Sequence, residues 1–232
     1  ILPGSGFTGE GGGSFGGQGT VGGVSFDEKD VNNLRRISGI DYVVPIFMTS
    51  ASVESVGAKK VGSIMAINDD GFKLMNVESE YGKLFEKADV SGGTKVAVLG
   101  NTMATDLFSE PEKAVGKIIR FENQRFKVVG VAKKKGDRQA DTAIFIPYRT
   151  AYNNINPDKK FWAIYLGVKS DDLIKDIKKK AEDELAKRYD TERFAVTEQA
   201  ELLSSINQIF GIINIVLIAI GSISLFVGGI GI

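Results

Sequence analysis

Residues 209–232 read IFGIINIVLIAIGSISLFVGGIGI, and the class of the protein turns on them. No charged residue occurs in this run, and only Asn214, Ser222 and Ser224 are polar. As a helix rising ~1.5 Å per residue it would be on the order of 36 Å long, against ~30 Å of bilayer hydrocarbon. A buried helix of a soluble core is the bland alternative, but core helices are seldom so long and so apolar all round. The composition therefore predicts a transmembrane helix over residues 207–232, truncated at its far end. Just before it, Leu202, Leu203, Ile206, Ile209 and Phe210 form an amphipathic stripe, so the helix is expected to run unbroken from about Glu198. Ser224 and Gly228 stand four apart, with Gly221 one turn earlier. Small residues at that spacing let helices approach closely in lipid. Gly228, Gly229 and Gly231 would weaken an isolated helix, which implies neighbouring membrane helices packed against them. Gly221, Ser224, Gly228, Gly229 and Gly231 are therefore the candidate helix-packing residues.

Working outward, residues 193–196 read as a short strand and residues 170–185 as an amphipathic helix. Leu173, Ile174, Ile177, Ala181 and Leu185 form its buried stripe, and Ser170, Asp171 and Asp172 its cap and first turn. Residues 161–168 are apolar on both faces, as in the middle of a covered sheet, so Trp162 is expected in the core. Earlier still, residues 117–122 and 124–131 read as strands joined tightly at Asn123. The basic run 133–138 reads as a solvated loop that could also touch lipid headgroups or an acidic partner. Residues 95–99 and 142–147 read as strands, the first followed by a short helix capped by Asn101. Strands are also expected over residues 41–47, 51–56 and 60–67, after a helix capped by Ser25 and ended by Gly39.

Asp69 and Asp70 invite a paired-carboxylate catalytic reading, but no third acidic group or partner lies near them, and a turn with a helix cap explains them as well. Eleven of the twenty positions from Gly4 to Gly23 are glycine, so residues 1–24 read as a flexible linker. A phosphate loop would need a Gly-Lys-Ser/Thr ending, and no lysine precedes Lys29. The first residue is Ile1, which points to a fragment of a longer chain.

The bulk composition removes several classes. Lys plus Arg equals Asp plus Glu at 29 each, without the basic excess of a nucleic-acid binder. Cysteine is absent, so there are no disulfides or zinc-thiolate sites. Histidine is absent too, which removes the commonest general base, the usual metal ligand and the His-activated nucleophiles. No catalytic, cofactor-binding or metal-binding residue is expected.

The ordered segments resemble the MacB-type (FtsX-like) permeases of ABC transporters, in the periplasmic or extracellular core domain. The resemblance rests on Ile40 to Pro45 (IDYVVP); on Ile67-Asn68-Asp69-Asp70-Gly71-Phe72; and on Val96-Ala97-Val98-Leu99-Gly100 followed by Leu107-Phe108. It continues through Val115-Gly116-Lys117-Ile118-Ile119, Phe126-Lys127-Val128-Val129-Gly130-Val131, the strand ending at Pro147, and Phe194-Ala195-Val196. Ile223-Ser224-Leu225 and Gly228-Gly229-Ile230-Gly231-Ile232 are similar to the family's second transmembrane helix. The order and spacing of these motifs, more than any one of them, carry the likeness from about Asp27 onward; the Gly-rich start departs from it.

The resemblance implies a mixed α/β (α+β) fold. A porter-like lobe with βαβ units would span residues 25–68 and 144–206, and a β-rich lobe would be inserted over residues 69–143. It implies the cell (inner) membrane, with this domain on the extracytoplasmic side between the first and second of four transmembrane helices. The partners it implies are an ABC ATPase domain or subunit, a second permease copy in a homodimer, the lipid bilayer and, in many members, a membrane-fusion adaptor protein. The domain would couple ATP hydrolysis to substrate export or extraction and would carry no catalysis of its own. A membrane-anchored sensor or binding domain, or an anchored enzyme using Asp69 and Asp70, are the alternatives from other classes.

Overall fold

The structure is a computed structural model that describes residues 1–4 and 24–230, apart from the side chains of residues 201–206, 209 and 224–230. In chain order the elements are β1 (Leu2–Pro3), α1 (Glu28–Arg35), β2 (Ile40–Ser55), β3 (Ala58–Ile67), α2 (Asp70–Leu74), β4 (Ser79–Gly82), α3 (Lys87–Gly92), β5 (Val96–Leu99) and α4 (Asn101–Phe108). They continue with β6 (Ile118–Phe121), β7 (Gln124–Ala132), α5 (Arg138–Asp141), β8 (Ala143–Pro147), β9 (Ala163–Val168), α6 (Ile174–Ala186), β10 (Phe194–Ala195) and α7 (Gln199–Ile230). The fold class is mixed α+β, as the sequence implies.

β2 organises the molecule. Its 16 residues replace the two separate strands expected at residues 41–47 and 51–56. The first part pairs antiparallel with β9, from Ile40 opposite Val168 to Ile46 opposite Ala163. The second part pairs antiparallel with β3, from Phe47 opposite Ala66 to Ser55 opposite Ala58. From β3 the sheet continues through β8, β5, β7 and β6, and it returns to β2 where Arg120 faces Glu54. The strands thus curl round a closed core. The pairs β3–β8 and β5–β7 are parallel and the rest antiparallel, with α4 crossing over between β5 and β7.

Alternation fills that core. Along β6, Ile119 and Phe121 are buried while Ile118 and Arg120 are exposed, and along β7 Phe126 and Val128 are buried while Arg125 and Lys127 are exposed. Phe121 stacks on Phe126 with ring centroids 4.3 Å apart. Phe72 meets Phe85 at 4.6 Å and Phe145 at 5.7 Å, joining α2 to the sheet. β4 lies so close to β7 that a Cβ on Gly130 would sit 2.2 Å from the Lys83 carbonyl oxygen. The β6–β7 connection is the tight hairpin expected at Asn123, with Glu122 and Asn123 both left-handed (φ 47° and 58°).

Several local expectations give way. The α1 cap is Asp27, not Ser25: its carboxylate accepts from Lys29 N and Asp30 N, and Asp30 answers from Asp27 N. Asn101 does not cap α4; its amide donates to Glu80 at 2.8 Å. Trp162 is 41% exposed and Tyr165 37%. Trp162 stands just before β9, and β9 itself is covered only in part, which a run of apolar letters does not reveal. The linker expected over residues 1–24 is structured at both described ends. β1 pairs with β10, and Ile1 and Val24 are buried. Residues 5–23 lie outside the described residues. Strand pairing also takes Phe47 onward in β2, all of β3, and β8 into the curled sheet, so that sheet extends on both sides of the segment 69–143.

Candidate functional site: the joint between the domain and helix α7

The chain enters α7 from β10. Phe194 and Val196 are buried, and β10 is held by β1 with Leu2 opposite Ala195 and Pro3 opposite Phe194. The Arg193 carbonyl accepts from Gly4 N at 2.8 Å and from Val24 N at 3.4 Å. One oxygen therefore draws together the two ends of residues 5–23. Ile1 in turn exchanges backbone hydrogen bonds with Ile164 in β9, at 2.9 and 3.1 Å.

A second grip lies just upstream, where α6 ends. The Arg188 guanidinium spans both oxygens of Asp27, at 3.0 and 2.9 Å, and also bonds Asp30. The Asp30 side chain is 1% exposed. Its carboxylate accepts further from the Tyr189 hydroxyl at 2.8 Å and from Asp27 N at 2.8 Å. The Tyr189 ring sits edge-on to Phe26, with centroids 6.0 Å apart. Hydrogen bonds from Arg188 hold the Asp27 carboxyl well below the usual carboxylate range. Burial, then the bond to Asp30, pushes the Tyr189 hydroxyl up. A buried carboxylate with a guanidinium and two other donors is the arrangement that makes an ion pair in an interior tolerable.

The next residue of α1 reaches the other way. Glu28 accepts from Arg149 Nε at 3.1 Å, from Tyr148 at 3.3 Å and from Tyr152 at 3.4 Å. Those three follow directly after β8. Burial raises Tyr148 and Tyr152 first, and the Glu28 charge raises them further. Within four residues α1 thus joins the approach to α7 to the curled sheet. The signal for this was in the sequence as the acidic run Asp27-Glu28-Lys29-Asp30, but it reads there as an ordinary helix cap, and its partners are more than a hundred residues away.

Strand directions orient the joint. β10 leaves β1 heading the same way as β9, toward the end where Val168 faces Ile40. β2 starts at that end and runs away from it.

The expected packing residues Gly221, Ser224, Gly228 and Gly229 fall on α7; Gly231 lies outside the described residues. A Cβ on Gly221 would meet nothing within 4 Å. Phe210, Ile212, Ile213, Ile215, Val216, Leu217, Ile218, Ile220 and Ile223 are all exposed, so the helix presents apolar surface around its whole circumference. Among the described residues no helix is long and apolar enough to cross a membrane; much of residues 207–232 has side chains outside that set. Asp69 and Asp70 sit at the start of α2, and the Asp70 carboxylate accepts from the Asn68 amide at 3.4 Å. Burial, then Asp69, raises the Asp70 carboxyl. Among the described residues no cluster of His, Cys, Asp or Glu could hold a metal.

Comparison with known families decides the class. The family model described as MacB-like periplasmic core domain matches residues 3–184. The chain belongs to this family. As a MacB-like periplasmic core domain it is 29% identical over 208 residues to the macrolide export ATP-binding/permease protein MacB of Hyphomonas neptunium, covering 88% of this chain and 32% of that one. It is 26% identical over 211 residues to an uncharacterized ABC transporter permease of Methanocaldococcus jannaschii, covering 89% and 52%. The periplasmic region of MacB from Actinobacillus actinomycetemcomitans shares the fold, with a TM-score of 0.71 at 20% identity over 79% of this chain and 84% of that one. The chain spans about a third to a half of the length of these curated relatives.

Proposed function

We propose that this MacB-like core domain is the extracytoplasmic part of an ABC transporter permease in the cell membrane, with α7 as a membrane helix. ATP is hydrolysed on a separate domain or subunit in the cytoplasm. The domain carries that work outward, as mechanical transmission, to substrate export or extraction. The observation that carries this reading is the direct passage from a gripped strand, β10, into a helix apolar on every side. Lipid or other membrane helices are the surroundings such a helix needs. In this reading a porter-like lobe surrounds α1, α6 and β9, and the curled sheet forms the second lobe, which draws on strands to both sides of the expected insert over residues 69–143. Gly221, Ser224, Gly228, Gly229 and Gly231 form the contact to neighbouring membrane helices, and a second permease copy supplies the symmetric partner. An adaptor protein joins on the outer side in members that have one.

The test is fractionation of the full-length protein with an epitope in the β2–β3 turn. The protein should stay with the membrane after alkaline carbonate washing, and protease should remove the epitope only from the extracytoplasmic side. Release by carbonate would end the membrane reading. Co-purification of an ATPase separates the permease from a membrane-anchored sensor, which would bring none.

A further inference from the structure

The outer face of the curled sheet carries charge that the fold leaves uncompensated. Reading the register across β3, β2, β6 and β7, Lys59 faces Glu54, Glu54 faces Arg120, and Arg120 faces Arg125. Side chains directly opposite on neighbouring strands share a face and lie close, so the two arginines repel. Two residues along each strand, on the same face, Lys127 faces Ile118. The Glu54 carboxylate is the one acid in this row, and Lys59 already holds it at 2.7 Å. Arg125 and Lys127 have no ion-pair partner among the described residues. Apolar side chains are interleaved with these cations. Val56 at the tip of the β2–β3 turn is 98% exposed, Val61 is 75% exposed and Ile118 is 48% exposed. The register carries Ile118 toward the turn that bears Val56. Directly opposed like charges and bare valines are costs to a solvated surface unless something binds there.

Direction selects the partner. β2 starts at the end toward which the chain leaves for α7, and its far end carries this surface some 15 residues later, on the order of 50 Å of strand away. If α7 continues in the direction of β10, a bilayer that holds it lies at the other end of that strand. We infer that the Arg120–Arg125–Lys127 face, with Val56 and Ile118, docks an acidic protein segment bearing apolar side chains. It stands on strand register and exposure alone, so its failure would leave the proposed transport role untouched, and the reverse holds too.

The experiment uses the whole chain in a neutral detergent. The probe is a fluorescent synthetic peptide of alternating glutamate and leucine, beside the same peptide with glutamine for glutamate. The acidic peptide should bind at least about tenfold more tightly than its glutamine counterpart, and more weakly as salt rises. Reversal by Arg120→Glu with Arg125→Glu should cost about tenfold, and Val56→Ser with Ile118→Ser about threefold. Lys133→Glu, Lys134→Glu and Lys135→Glu together reverse a basic loop elsewhere and should leave the affinity within about twofold. Arg125→Gln with Lys127→Gln is the milder variant should the double reversal disturb folding; it should weaken binding in the same direction. Equal binding of the two peptides, or equal damage from the control loop, would overturn the assignment. A fluorophore on Val56→Cys, the sole cysteine, tests the membrane directly: after reconstitution, quenching by brominated lipid would also overturn it.

Discussion

Arg188→Ala tests whether the joint before α7 is held by charge. The lost guanidinium binds two carboxylates of different worth. Asp27 is exposed enough that its arm contributes at most ~1 kcal/mol. Asp30 is 1% exposed, and stripping the partner from a buried carboxylate typically costs ~3–5 kcal/mol. Here the cost is moderated, because Arg188 itself is 30% exposed, and Tyr189 and Asp27 N still donate to Asp30. The sum is ~3 kcal/mol, and at ~2–4 °C per kcal/mol for a domain of this size the melting temperature should fall by ~6–12 °C. Thermal unfolding followed by near-ultraviolet circular dichroism is the assay, within a cycle that includes Asp30→Asn. Because both changes remove one interaction, the double variant should be markedly less destabilised than the sum of the two. Tyr189→Phe should cost only ~1 kcal/mol, since the ion pair remains. A fall below ~2 °C for Arg188→Ala, or strict additivity with Asp30→Asn, would refute the reasoning.

Three further outcomes are expected. Glu122 occupies a left-handed position in the β6–β7 turn, so Glu122→Asn should stabilise by ~0.5–1 kcal/mol, read as a small rise in the urea midpoint at unchanged slope. Gly130→Ala places a Cβ against the Lys83 carbonyl; it should cost more than ~3 kcal/mol and expose the β4 amides to hydrogen exchange, whereas Gly116→Ala, with open space, should not separate the strands. The pH profile of stability should fall at both extremes. Asp27 is depressed in the fold, so its contribution is present above its ordinary value of ~3.9 and is lost as pH falls below it. Tyr189 and Tyr152 are raised, so their contribution is present below ~10 and is lost as pH rises past it. Arg188→Ala should flatten the acid limb.

What the sequence disclosed, it disclosed through periodicity. The β6–β7 hairpin, the Ile177–Ala181–Leu185 stripe and the long terminal helix are local patterns, and the structure has each of them. Strand partnership is not local. Nothing in residues 41–56 says that one strand serves both β9 and β3, so a single β2 reads as two strands with a polar break. Trp162 misleads for the same reason: an apolar run fixes what a strand could bury, whereas what packs over each position, just before β9 in this case, comes from distant elements. Ile1-Leu2-Pro3 is apolar and lies just before the glycines, a signal outweighed by the composition that follows. The Arg188–Asp30 pair spans 158 positions and joins residue types that are ordinary at any helix end, so no spacing rule finds it.

Transmission through the joint is the central claim, and motion of the outer domain measures it. In the proposed full-length permease dimer, reconstituted with its ATPase and with any cysteine outside this domain replaced, Val56→Cys places one spin label on the hairpin tip of each copy, since the domain has no cysteine of its own. Electron–electron distances between the two tips are then compared in nucleotide-free and ATP-trapped states. Transmission from α7 predicts a shift of several ångströms between the two states, while the distance within one chain from Val56→Cys to Ser222→Cys stays fixed. An unchanged tip-to-tip distance in a transporter that still hydrolyses ATP and exports its substrate would contradict it.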